Sequence, residues 1–172
     1  MRILRPLFTI AVLGLIIFAV YQFYIIPMFF SNAKLLHLVD ADTLLVRENG
    51  KIKIVQLIGV DAPELTGPKK SRQCFDSSAK SSAAAYFRTN REIKFSIDGK
   101  AGEKDIYGRD LRYVYLPDGT LYNEKLLKDG LAVESNPENT DYKYKSEFLK
   151  AQEEARANGL GIWDPKGCNG RF

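Results

Sequence analysis

Residues 7–30, LFTIAVLGLIIFAVYQFYIIPMFF, carry no charge, and this run separates the start of the 172-residue chain from everything after it. About 20 apolar residues cross a bilayer as a helix. The run is apolar all round instead of along one stripe, which argues against a helix lying on a globular core. Arg2 and Arg5 precede it, and Tyr21 and Tyr24 stand near its far end. Basic residues before a span hold that side in the cytoplasm, and tyrosines suit the interface. The expectation is a cytoplasmic tail over residues 1–6, a transmembrane signal anchor over 7–30, and a single-pass membrane protein whose remaining chain lies outside the cytoplasm. Ser31-Asn32-Ala33 offers a signal-cleavage alternative that would give a secreted protein. The run is longer than the roughly 7–15 apolar residues of an ordinary leader, which favours the anchor.

The chain beyond residue 30 is long enough for one domain. With 45% hydrophobic and 27% charged residues, wholesale disorder is excluded. Removing Arg2 and Arg5 from the 25 basic residues leaves 23 against 21 acidic, so the exported part carries only +2. Nonspecific attraction to polyanions does not follow from such a charge, and any nucleic-acid contact must come from placed residues. Two cysteines and one histidine are too few for a Cys/His zinc site. A Ser-His-Asp triad would need His37, which sits in a strand pattern and is given no role. In an oxidising compartment Cys74 and Cys168 permit one disulfide. Closing a loop of about 94 residues is worth about 4–5 kcal/mol in the chain-entropy account.

The exported part begins as strands over residues 34–39, 43–48 and 51–58, with Asn49-Gly50 as a hairpin turn. Residues 75–89 have helical spacing, with Asp76 as the cap, and 92–97 and 111–116 alternate as strands. Residues 121–129 form a short helix stopped by Gly130, and 143–158 a longer one with Phe148, Ala151 and Ala155 on its stripe and Gly159 closing it. Five strands with one helix after the third and two at the end suit a small closed barrel, an OB-fold of the α+β class.

Acidic residues mark the strand ends: Asp42 in VDADTLLV, then Asp61 and Glu64 in LIGVDAPE. Pro63 stiffens the second group. Carboxylates held together repel one another, and a hard divalent cation removes that repulsion. In DIYGRDLRYVY, Gly108 turns the chain so that Arg109 projects from a strand start, where a guanidinium can bond a phosphate in two places.

Taken in order, VDADTLLV, VQLIGVDAPE, Cys74-Phe75 before an Ala-rich helix, DIYGRDLRYVYLPDGTLYNEKLLKDGLA and a final helix with GLGIW resemble the staphylococcal-nuclease-like (thermonuclease) family across residues 33–164, leaving 165–172 as a C-terminal tail. The resemblance implies a five-stranded OB-type barrel with three helices and a calcium-dependent endonuclease acting on DNA and RNA. It makes Asp42, Asp61 and the Ala62 carbonyl ligands of a Ca2+ ion, Glu64 the general base and Arg109 a phosphate-binding arginine. A single-stranded DNA or RNA substrate would stack on Tyr107 and on Tyr142 or Tyr144, with the protein acting as a monomer.

The chain departs from that pattern at three places. The family's second catalytic arginine falls at Gln56, which lacks the charge and the fork of a guanidinium. Ala41 replaces a glycine and fits only where φ stays negative. Ile106 stands where a basic residue is common. Lys53, or Lys69, Lys70 and Arg72, are candidate substitute charges. Two functions stay open: a nuclease slowed at position 56, or a non-catalytic module of the same fold that binds nucleic acid or protein.

Overall fold

A computed structural model of the chain describes residues 4–21, 30–64, 74–137 and 141–171. The chain falls into two compact units, residues 1–31 and 32–172.

The first unit contains one helix, α1 (Leu4–Val20). Ile10, Leu13, Leu15, Ile16 and Phe18 are all exposed on it, so its residues 10–20 are apolar on every face. Among the described residues no helix is long and apolar enough to cross a membrane. At about 1.5 Å per residue, 17 residues rise only about 26 Å, short of a hydrocarbon core of about 30 Å. Residues 22–29 of the expected span, Tyr24 included, lie outside the described residues.

The second unit is a closed barrel with helices against it. Its elements are β1 (Ser31–Leu38), β2 (Thr43–Glu48), β3 (Lys51–Leu57), β4 (Val60–Asp61), α2 (Asp76–Ala85), β5 (Glu92–Ser96), β6 (Asp110–Tyr115), α3 (Tyr122–Lys128), β7 (Val133–Glu134) and α4 (Lys145–Ala157), then a 3-10 turn (Gly161–Trp163). The barrel order is β1-β2-β3-β6-β5, and the Leu35 amide bonds the Arg91 carbonyl across the closure at 2.8 Å. Alternation places Leu44, Val46, Val55 and Leu57 inside. A bulge between Leu35 and His37 resets the period so that Leu38 also faces in and His37 faces solvent. Asn49 and Gly50 both take positive φ, as the tight hairpin requires. The five strands and three helices of this unit are those the sequence pattern predicts. The short β4–β7 pair is additional, and no alternation rule reaches two-residue strands.

The helices end as their glycines dictate. At Gly159, with φ +61°, the Leu160 and Gly159 amides bond back to Ala155 and Arg156, and the same arrangement at Gly130 closes α3. α4 buries Phe148, Ala151 and Ala155. The start of α2 differs from expectation: its cap is Phe75, in the left-handed region and without a side-chain hydrogen bond. The Asp76 side chain lies outside the described residues. A disulfide joins Cys74, just ahead of α2, to Cys168 in the C-terminal tail. Inside, the Asp98 carboxylate accepts the Tyr113 hydroxyl at 2.6 Å and the Lys143 amide at 2.7 Å, tying the start of α4 to the barrel.

Candidate active site

Asp42 precedes β2 at one barrel mouth, and antiparallel pairing brings the end of β3 back beside it, with Thr43 opposite Gln56. The Asp42 side chain is buried at 4% exposure. The Ala62 amide donates to its Oδ2 at 3.0 Å, and the Thr43 hydroxyl lies 3.1 Å from its Oδ1 and 2.8 Å from Gln56 Oε1. The Gln56 side chain also hydrogen-bonds Asp42. The Asp42 carboxylate therefore pins the β4 segment to the barrel, and Thr43 and Gln56 form one polar group with it.

Burial pushes the Asp42 carboxyl up to about 6, and the nearby charge of Asp61 adds to the rise. Hydrogen bonds from Ala62, Gln56 and Thr43 oppose it. Folding stability inherits this shift. In the unfolded chain the group ionises near 4, so from about pH 4 to about pH 6 the folded chain holds an extra proton, and stability falls as pH rises through that window. Asp98, Asp105 and Asp110 are held below the usual carboxylate range, so their contribution is lost only at lower pH. In chelator, the chain should be less stable at pH 7 than at pH 4.5 by about 2 kcal/mol in urea unfolding, and a flat or rising profile would contradict this.

Beside this group opens a cavity of about 610 Å³, lined by Gln56, Gly59, Asp61, Asp105, Tyr107 and Arg109 among others. Gly59 is required there, because with φ +73° a Cβ would lie 2.7 Å from the Tyr142 ring. The arginine is held by its own turn. The Asp105 carboxylate accepts the Tyr107 and Arg109 amides, each at 2.9 Å, and the Arg109 Nε at 2.5 Å. Gly108 takes φ +81° to complete the turn. Partial burial pushes Asp105 up, but the Arg109 bonds outweigh it and leave the group below the usual range. With Nε committed, the two terminal nitrogens of Arg109 are the ones available to a ligand, and its Cζ lies 5.3 Å from the exposed Tyr107 ring.

The expected residues are thus only partly gathered. Asp42, Asp61, Ala62, Gln56 and Arg109 come together. Glu64 is half-buried at the end of the described stretch, and among the described residues no three His, Cys, Asp or Glu side chains are grouped so as to hold a metal ion. The Asp42 carboxylate accepts the Ala62 amide, and the charge of Asp61 acts on it. Tyr142 is buried with its hydroxyl on Glu134, and Tyr144 packs against Phe148 and bonds Tyr115, so both serve packing. Lys53 is paired with Glu48 and Asp110. Lys69, Lys70 and Arg72 lie outside the described residues. Sequence reasoning does not reach Thr43 or Asp105, although an aspartate four residues before Arg109 in a Gly-containing turn is a legible signal.

A family profile described as "Staphylococcal nuclease homologue" matches residues 54–165. The chain belongs to this family. Thermonuclease of Staphylococcus hyicus is 35% identical over 130 residues, covering 76% of this chain and 74% of the relative. Thermonuclease of Staphylococcus intermedius is 36% identical over 127 residues, covering 73% and 72%. Endonuclease YncB of Bacillus subtilis is 33% identical over 136 residues, covering 79% and 63%. Ala41 is accommodated because its φ is not positive.

Proposed function

We propose that this chain is a nuclease, anchored in the membrane by its N-terminal segment, that hydrolyses phosphodiester bonds of DNA or RNA outside the cytoplasm with a divalent cation, calcium first. The observation that carries the reading is the cavity joining Gln56, Asp61 and Arg109 beside the buried carboxyl of Asp42. Its support is membership of a family whose relatives are named thermonuclease and endonuclease. The anchor is supported by residues 10–20 of α1, apolar on every face, and by the uncharged run that continues to residue 30.

The donor set fits a hard cation. The charge of Asp61 raises the proton affinity of Asp42, and the main chain of Ala62 lies against Asp42. Asp42, Asp61 and the Ala62 carbonyl would hold the ion, with water completing its six to eight oxygens. When bound, it supplies positive charge against the phosphate. The protein's own groups do the rest. Arg109 presents its terminal nitrogens to the phosphate and takes up charge that develops on the equatorial oxygens. Glu64 takes the proton of the attacking water. Tyr107, 77% exposed at the rim, offers a face on which a base of a single strand can stack.

Gln56 favours one competing reading, a binding module without turnover, since an amide engaged with Thr43 and Asp42 brings no charge to the phosphate. Gln56→Arg separates the two. In the nuclease it should raise the cleavage rate of single-stranded DNA at least tenfold, roughly 1.4 kcal/mol of transition-state stabilisation. In the module the full chain in detergent would retain DNA on a filter with calcium, yet release no product with glutamine or arginine at 56.

A further inference from the structure

Tyr122, the first residue of α3, is fully buried. A buried phenol needs a partner, and its hydroxyl donates to the Ala41 carbonyl at 2.6 Å, across 81 residues of chain. Its ring is clamped edge-on by Phe87 at 5.0 Å and Tyr86 at 6.0 Å, so the hydroxyl has little freedom to move. The next residue, Asn123, is equally buried. It accepts the Val114 amide at 2.9 Å and donates to the Ile58 carbonyl at 3.0 Å, which fixes the start of α3 against β6 and the end of β3.

The bonded carbonyl belongs to the peptide that leads into Asp42. The carbonyl on the other side of Asp42 accepts the Leu57 amide at 3.0 Å, and the carboxylate accepts the Ala62 amide. Rotation of the Asp42 backbone would break one of the two flanking bonds. Ala41, fully buried and without positive φ, gives this peptide less freedom than a glycine would.

We infer that Tyr122 is a positioning residue: its hydroxyl sets the orientation in which Asp42 presents its carboxylate to a divalent cation. The inference rests on the reading of Asp42 as a cation ligand. Groups that hold a ligand from behind typically cost about 10- to 100-fold in metal affinity or activity when removed. Nothing in the spacing of the sequence pairs position 122 with position 41.

The test uses the full chain in detergent, titrated calorimetrically with calcium chloride alone, and compares Tyr122→Phe with Phe87→Leu. Tyr122→Phe keeps the ring and removes the hydroxyl. It should weaken calcium binding about tenfold, shrink the calcium-induced rise in Tm, and lower kcat with KM for single-stranded DNA unchanged. Phe87→Leu loosens the packing and leaves the hydroxyl; it should lower Tm in chelator while calcium affinity stays within about twofold of the parent chain. Unchanged calcium affinity in Tyr122→Phe overturns the positioning role while leaving the metal reading intact. So does an equal loss in both variants, which would reduce Tyr122 to packing. A wild-type chain that takes up no calcium overturns the metal reading itself, and the inference with it.

Discussion

Arg109→Ala should slow cleavage of single-stranded DNA by a factor of about 100 to 1,000, the usual cost of removing one preorganised donor from a transition-state oxyanion. The arginine is suited to that duty because Asp105 holds its Nε and its amide before substrate arrives, so little ordering remains to be done on binding. A looser arginine would have to be immobilised during the reaction. Arg109→Lys should recover only a small part of the rate, since an ammonium brings charge without a fork. Stability should change little, because the Arg109–Asp105 pair is partly exposed and such pairs contribute under about 1 kcal/mol. Steady-state kinetics with urea unfolding of the same samples checks both halves. A loss under about tenfold would place Arg109 away from the reacting phosphate.

Asp42→Asn should separate function from stability. The amide cannot replace an anionic ligand, so calcium uptake should vanish and cleavage should fall by roughly a thousandfold, the several kcal/mol a bound cation contributes. The metal-free chain should become more stable at pH 7. Burial holds the carboxyl at about 6, so ionising it in the folded chain costs up to about 3 kcal/mol, which the neutral amide avoids. The bonds with Ala62 and Thr43 can be kept. The amide oxygen can still accept from Ala62, and its nitrogen can donate to the Thr43 hydroxyl, which already lies within reach of Gln56. Calorimetric calcium titration and unfolding in chelator at pH 7 test the pair of expectations. A destabilised variant that still binds calcium would reverse both.

The barrel is legible because its strands are short, alternating and punctuated by Asn49-Gly50, and because the helices end at Gly130 and Gly159. The bulge at Leu35–His37 is not, since a one-residue insertion only shifts the phase of the alternation. The site is legible where residues lie close in sequence: Asp61 with Ala62, and Gly108 with Arg109. It is illegible where the fold joins distant stretches. Thr43 meets Gln56 only through the β2–β3 register, and Tyr122 meets Ala41 only through the packing of α3. No local pattern signals that the Asp42 carboxylate accepts the Ala62 amide, 20 residues further along the chain. Tyr142 and Tyr144 read as base-stacking candidates because aromatic residues in a loop look alike whether they face solvent or, as here, Gly59 and Phe148.

The proposed hydrolysis requires the Asp42–Asp61 pair to hold a cation beside Arg109. The decisive measurement incubates the full chain in detergent with single-stranded DNA, in calcium and in chelator, and sizes the products. Shortened strands in calcium and intact DNA in chelator are expected. DNA that is bound at every calcium concentration and never cut, or cut equally well in chelator, would contradict that requirement.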